Sequence, residues 1–186
     1  MAELTEGTEE VEVEHRTVRA PDGTAVDVVH ARPLGMPSRG LVVHPDIFGI
    51  RPLFEDLARR LATHGLAVAV VEPFAGVPAE ARVALTVEDR FALVPGLADE
   101  QSIGALSAAA DLLVVEDGVT EVAILGFCMG GMYALKAAGA DRFDRAVACY
   151  GMVRVPDAWR GEHLGEPLDA LASGCPTLAI IGGLDH

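Results

Sequence analysis

Five short apolar stretches, separated by segments of helical spacing, set the tightest limit on how this chain folds. They are "GLVVHP" (40–45), "LAVAVVEP" (66–73), "VTEVAIL" (119–125), "DRAVACYGMV" (144–153) and "PTLAIIGG" (176–183). Each is short and mostly continuous, which suits a strand buried on both faces of a parallel sheet. Between them lie "PLFEDLARRLATHG" (52–65), "ADEQSIGALSAAADLLVVEDG" (98–118), "MGGMYALKAAGA" (129–140) and "GEPLDALASG" (165–174). The first has Leu53, Phe54, Leu57 and Leu61 at helical spacing, Pro52 near its start and Gly65 at its close, which are helix start and stop signals. Alternating strands and helices predict an α/β fold with a mostly parallel sheet and helices on both faces.

Two alternating stretches precede this pattern: "VEVEHRTVRA" and "AVDVVHARP", around "PDGT". They predict an antiparallel hairpin turning at Asp22-Gly23. Residues 1–8 are expected to be a disordered acidic tail, and 9–186 a single domain. Residues 74–96 hold two prolines and no clear periodicity; a connection of that length often carries function.

Composition narrows the function. Half of the 186 residues are hydrophobic, which is globular. No apolar run approaches the roughly 20 residues that span a bilayer. The start, "MAELTEGTEEVEVEH", has neither a basic region nor an apolar signal core. The net charge is −14 and Lys136 is the only lysine, so nucleic-acid binding, which needs local basic density, is not expected. Cys128, Cys149 and Cys175 form neither a disulfide framework nor a zinc-ligand spacing. The expectation is a cytoplasmic protein with reduced thiols and no metal or other cofactor.

Ligands of such sheets bind at the carboxyl ends of the strands. Four stretches fall there: "HPDIFGI", "EPFAG", "GFCMGG" and "GGLDH". In "GFCMGG", Cys128 stands between a strand and a helix with Gly126 and Gly130 two residues away on either side. A nucleophile on a sharp strand-to-helix turn needs small residues at those two positions. A helix N-terminus behind the cysteine favours thiolate over thiol, and the Met129 amide would face a developing oxyanion. The bland alternative is a small core cysteine in a glycine-rich turn. A nucleotide loop does not fit, because G-x-G-x-x-G and the Lys-Ser/Thr of a phosphate loop are both absent.

An elbow of this kind takes a second oxyanion donor from the loop after an earlier strand; the Ile47 amide is the candidate. Asp46 either positions or titrates the thiol, or caps the following turn. Asp185, just past a buried strand, fits the acid that orients a histidine, against an ordinary loop aspartate.

"HPDIFGI", "GFCMGG", "CYG" and "GGLD", in this order and at these intervals, resemble the dienelactone hydrolase family of α/β-hydrolases. The resemblance runs from the hairpin onward. It implies an α/β-hydrolase fold, Cys128 as nucleophile, Asp185 as triad acid, and Ile47 plus Met129 as the oxyanion hole. The family usually has glutamate where Asp46 stands, contacting the resting thiol; aspartate is one methylene shorter. The archetypal substrate is a dienelactone, an unsaturated cyclic ester with a carboxylate, held by arginines. Arg90 is the candidate here and Arg82 its competitor. Tyr150 either lines the pocket or is core.

The resemblance also implies a histidine base some tens of residues after the acid, whereas this sequence ends at His186, next to Asp185. None of the six histidines is a good base by position. The expectation is that the chain is cut short, lacking the last strand, the last helix and the base. It would then show weak esterase activity at most and present a bare sheet edge for self-association. The alternative is an inactive α/β-hydrolase remnant that binds a ligand or partner. A flavodoxin-like binder fits poorly, since no phosphate-cradling loop follows the first parallel strand.

Overall fold

The computed structural model describes residues 5–183. Seven strands form one sheet: β1 (Val11–Arg19), β2 (Ala25–Pro33), β3 (Arg39–His44), β4 (Leu66–Val71), β5 (Val122–Phe127), β6 (Arg145–Cys149) and β7 (Thr177–Ile180). Their order across the sheet is β1-β2-β4-β3-β5-β6-β7. The helices are α1 (Pro52–Ala62), α2 (Ala79–Arg82), α3 (Val87–Leu93), α4 (Asp99–Asp117), α5 (Met129–Ala137) and α6 (Pro167–Ala170). The hairpin β1–β2 joins the sheet through an antiparallel pairing of β2 with β4; every other neighbouring pair beyond it is parallel. This is the doubly covered, mostly parallel α/β sheet that the apolar stretches predict.

The two faces divide by strand alternation. On one face Val28, Val42, Ala69, Val71, Ile124 and Ala148 pack with α4 and α5 residues such as Leu106, Leu113 and Met132. On the other, α1 lays Phe54, Ala58 and Ala62 on Val29, Ala31, Val43, Val68 and Val70. All nine residues of α5 are buried. Lys136 is among them, with its ammonium 2.6 Å from Asp99 Oδ1, as a buried charge requires.

Beyond α1, the second face thins out. Leu125, Phe127, Val147 and Cys149 are only half-buried, and β7 is exposed at every position. Leu178 is 57% and Ile180 50% exposed. Among the described residues no strand pairs with the outer edge of β7. At the other end, Gly7 N donates to Thr63 Oγ1 at 2.7 Å and Glu9 N to Thr63 O at 3.0 Å.

Residues 74–96 do hold structure. They form α2, α3 and a 3-10 turn, Val94–Gly96. A capping box starts α3: Asp89 N donates to Thr86 Oγ1 at 3.1 Å, and Thr86 N to Asp89 Oδ2 at 2.9 Å. That reciprocal cap satisfies two amides that a seven-residue helix would otherwise leave open.

Candidate active site

The end of β5 delivers Cys128 to the carboxyl edge of the sheet. Its backbone has φ 55 and ψ −118, a conformation that L-residues rarely hold and that is sustained by surrounding structure. Cys128 N donates to Cys149 O at 3.0 Å, and Met132 N returns to Cys128 O at 3.1 Å. The flanking glycines are there because backbone passes through the space of a side chain. A Cβ on Gly126 would lie 1.9 Å from Gly130 O, and one on Gly130 would lie 2.2 Å from His44 O. The turn is the strained strand-to-helix elbow that "GFCMGG" predicts.

The thiol departs from expectation. Burial pushes the Cys128 thiol above its ordinary value, and the nearby Asp46 charge adds to the rise. The Met129 amide, aimed at the sulfur, acts the other way without prevailing. Desolvation outweighs the helix terminus because the sulfur is partly removed from water. The resting group is a thiol.

The loop after β3 supplies the facing wall. Ile47 is 4% exposed, and among the described residues no acceptor takes its amide. Asp46 is held by Arg51 through two bonds, Nη1–Oδ1 at 2.5 Å and Nη2–Oδ2 at 2.7 Å. Asp46 Oδ1 also accepts from Phe48 N at 2.9 Å. Asp46 thus caps the turn, and its charge reaches both Cys128 and Tyr150. Arg51, which sequence reasoning missed, lies 4.9 Å over the Phe54 ring and 5.3 Å over Phe48.

Glu72, in the "EPFAG" stretch, was not singled out either. Its buried carboxylate accepts from Ile50 N at 3.1 Å and Phe74 N at 3.2 Å, locking the Ile47 loop to the loop after β4. Only a three-dimensional neighbour gives it that role.

Tyr150 ends β6 with φ 41. It is 49% exposed, and its ring centroid is 6.2 Å from that of Phe127. Burial and then the charges of Asp46 and Cys128 raise its hydroxyl pKa, so it borders the cysteine and is not core. The two arginines separate cleanly. Arg82 is committed to Asp27 and to Val77 O, with Glu72 at 4.0 Å. Arg90 donates only to carbonyls, Arg82 O at 2.9 Å and Ile47 O at 3.5 Å, and lies 5.8 Å over the Phe74 ring. Among the described residues it has no carboxylate partner. It lines an open cleft of about 480 Å³ with Phe48, Ile50 and Arg82.

His44, the histidine nearest the Ile47 loop in sequence, belongs to the core. Its ring stacks on Tyr133 at 5.2 Å, its Nδ1 lies 2.9 Å from Pro45 O, and burial lowers its pKa to about 4. Asp185 lies outside the described residues, as does His186.

The sequence matches the family-wide model of the dienelactone hydrolase family over residues 26–186. A protein of Escherichia coli O157:H7 named for carboxymethylenebutenolidase is 32% identical over 172 residues, covering 88% of this chain and 62% of that protein. Carboxymethylenebutenolidase 2 of Cupriavidus pinatubonensis is 32% identical over 111 residues, 59% of this chain and 44% of its own length. The chain thus spans less than two thirds of these curated relatives. A crystal structure from Klebsiella pneumoniae, solved under the name of a dienelactone hydrolase, superposes with a TM-score of 0.81 at 24% identity, over 91% of this chain and 72% of that one. The dienelactone hydrolase of Anabaena variabilis gives 0.66 at 22%, over 94% of this chain and 75% of that one. The strained cysteine elbow, its facing loop and the match from the second strand of the hairpin onward make this chain a member of the dienelactone hydrolase family of α/β-hydrolases.

Proposed function

We propose that the protein hydrolyses a carboxylic ester or lactone with Cys128 as its nucleophile. The observation that carries this is the strained backbone of Cys128, with φ 55 and ψ −118, wedged between two glycines. Strain of about 1–3 kcal/mol at such a position persists where function uses the projected side chain. The Cys128 thiolate attacks the carbonyl carbon, and the carbonyl oxygen becomes an oxyanion that the Ile47 and Met129 amides stabilise. The C–O bond then breaks, the alkoxide takes a proton, and water releases the acid from the thioester. The chemistry consumes water alone. Asp185 is the acid that orients the base, by its place in the chain order.

Because the thiol is raised, attack requires a base; no such role suits His44, whose ring is committed to Tyr133 and Pro45. Arg90, with no carboxylate partner among the described residues, is the binder for a substrate carboxylate. The names of the curated relatives describe a butenolide with a carboxymethylene group, which fits such a binder. Tyr150 flanks the thiol and lines the substrate side. The net charge of −14 suits a cytoplasmic enzyme, and the β7 edge, unpaired among the described residues, is its surface for self-association.

A second reading, a non-catalytic module that binds a ligand or partner, is favoured by the raised thiol. Alkylation separates the two. Under the enzyme reading Cys128 labels far faster than Cys149 and Cys175, and Cys128→Ala abolishes ester turnover. Equal, slow labelling of all three favours the module. Arg90→Met should raise KM for a carboxylate-bearing lactone and leave a neutral ester unchanged.

A further inference from the structure

Away from the cysteine, the hairpin meets the C-terminal end of α4 at a cluster the hydrolase reading does not use. Glu14 and His30 are cross-strand partners in β1–β2. Glu116 and Asp117 are the last residues of α4. His30 is 1% exposed, and its Nε2 lies 2.8 Å from Asp117 Oδ2. Against a buried carboxylate that nitrogen carries the proton and donates.

The other ring nitrogen is Nδ1. That atom is buried and has no hydrogen-bond partner. It faces Glu14 Oε1 at 3.6 Å. A cation between the buried ring nitrogen and the carboxylate would satisfy both. Glu116 completes the arrangement: one ligand atom from each of Glu14, His30 and Glu116 lies within 4.8 Å of the other two.

Charge points the same way. The carboxylates of Glu12, Glu14, Glu116 and Asp117 are met by the guanidiniums of Arg16 and Arg32. Four negative charges against two positive ones leave an excess of two. The C-terminus of α4 adds partial negative charge. Arg16 spans the pair of glutamates, at 2.7 Å from Glu14 Oε1 and 2.5 Å from Glu116 Oε1.

We propose that Glu14, His30 and Glu116 form a binding site for a divalent transition cation of the zinc and cobalt class, with Arg16 as the competing occupant. One imidazole and two carboxylates suit a borderline cation; the absence of thiolate from the triad disfavours copper(I). Asp117 acts on the ring from behind, fixing its tautomer as an outer-shell carboxylate does. A bound ion ties the hairpin to α4.

The test titrates the 186-residue chain with Co²⁺, reading its visible absorption band, then displaces it with Zn²⁺. One cobalt ion per chain is expected at this site. Glu14→Gln and Glu116→Gln change a half-buried and an exposed side chain without altering their size, so the fold survives, and each should weaken binding about tenfold or more. Asp117→Asn should weaken it about 10–100-fold by releasing the ring. Arg16→Gln should strengthen it, which a merely structural ion-pair network does not predict. No cobalt band overturns the proposal: a proton then fills the gap at Nδ1. Binding that is unchanged in both glutamine variants also overturns it, since the ion then sits on thiols or surface histidines.

Discussion

Replacing Cys128 by glycine should stabilise the protein, although it removes a side chain. The residue sits at φ 55 and ψ −118, where a Cβ is in conflict with its own backbone. Such strain costs about 1–3 kcal/mol. Glycine is free of it, but loses about 0.4–1 kcal/mol through the extra freedom of the unfolded chain. The net gain of Cys128→Gly over Cys128→Ala is therefore about 1–2 kcal/mol. Alanine is the right reference because it also lacks the sulfur while keeping the Cβ. For a domain of this size the gain is a rise in Tm of about 2–8 °C. Both variants would be melted side by side, with urea unfolding as a second measure. If glycine is less stable than alanine, as at an ordinary helix-edge position, the elbow is not strained and the argument for a projected nucleophile fails.

Asp46→Asn removes the charge that adds to the burial-driven rise of the Cys128 thiol and frees Arg51 from its bidentate partner. Cys128 should then alkylate a few times faster at fixed pH 8, while Cys149 and Cys175 keep their rates. His44 is held neutral, its pKa lowered from 6.5 to about 4 by complete burial. A depressed pKa means stability is fully present above 6.5 and is lost as pH falls toward 4. At about 1.4 kcal/mol per pH unit the loss is about 3 kcal/mol, and His44→Phe, which keeps a ring on Tyr133, should flatten it in urea melts across that window. Ile180→Lys places a charge on an edge strand that is exposed at every position. If copies of the chain pair through β7, sedimentation should show the dimer weakened about tenfold or more, as expected for losing a buried isoleucine.

The strands were legible because a parallel sheet needs continuous apolar runs, and each predicted stretch overlaps a strand of the sheet. Their ends were less so: "DRAVACYGMV" stops as a strand at Cys149, since Tyr150 turns to φ 41. Residues 74–96 hid α2 and α3 because short helices carry little periodicity; the Thr86 and Asp89 spacing was the available sign. The elbow was legible from two glycines around a cysteine, since close backbone approach excludes every other residue there. The protonation of Cys128 was not, because a motif shows the helix terminus but not how much water the fold removes. Arg51 and Glu72 were missed for a similar reason. Arg51 is five residues from Asp46, and nothing in that spacing says they pair; Glu72 acts on amides across 22 residues of chain. The Glu14, His30 and Glu116 cluster joins three separate elements and has no local spacing at all.

The central claim is that Cys128 accepts the acyl group. The direct measurement is mass spectrometry of the protein after brief exposure to an activated ester, followed by peptide mapping. The account predicts one acyl group per chain on the peptide holding Cys128, absent in Cys128→Ala. Acylation confined to Cys149 or Cys175, or ester turnover undiminished in Cys128→Ala, would contradict it.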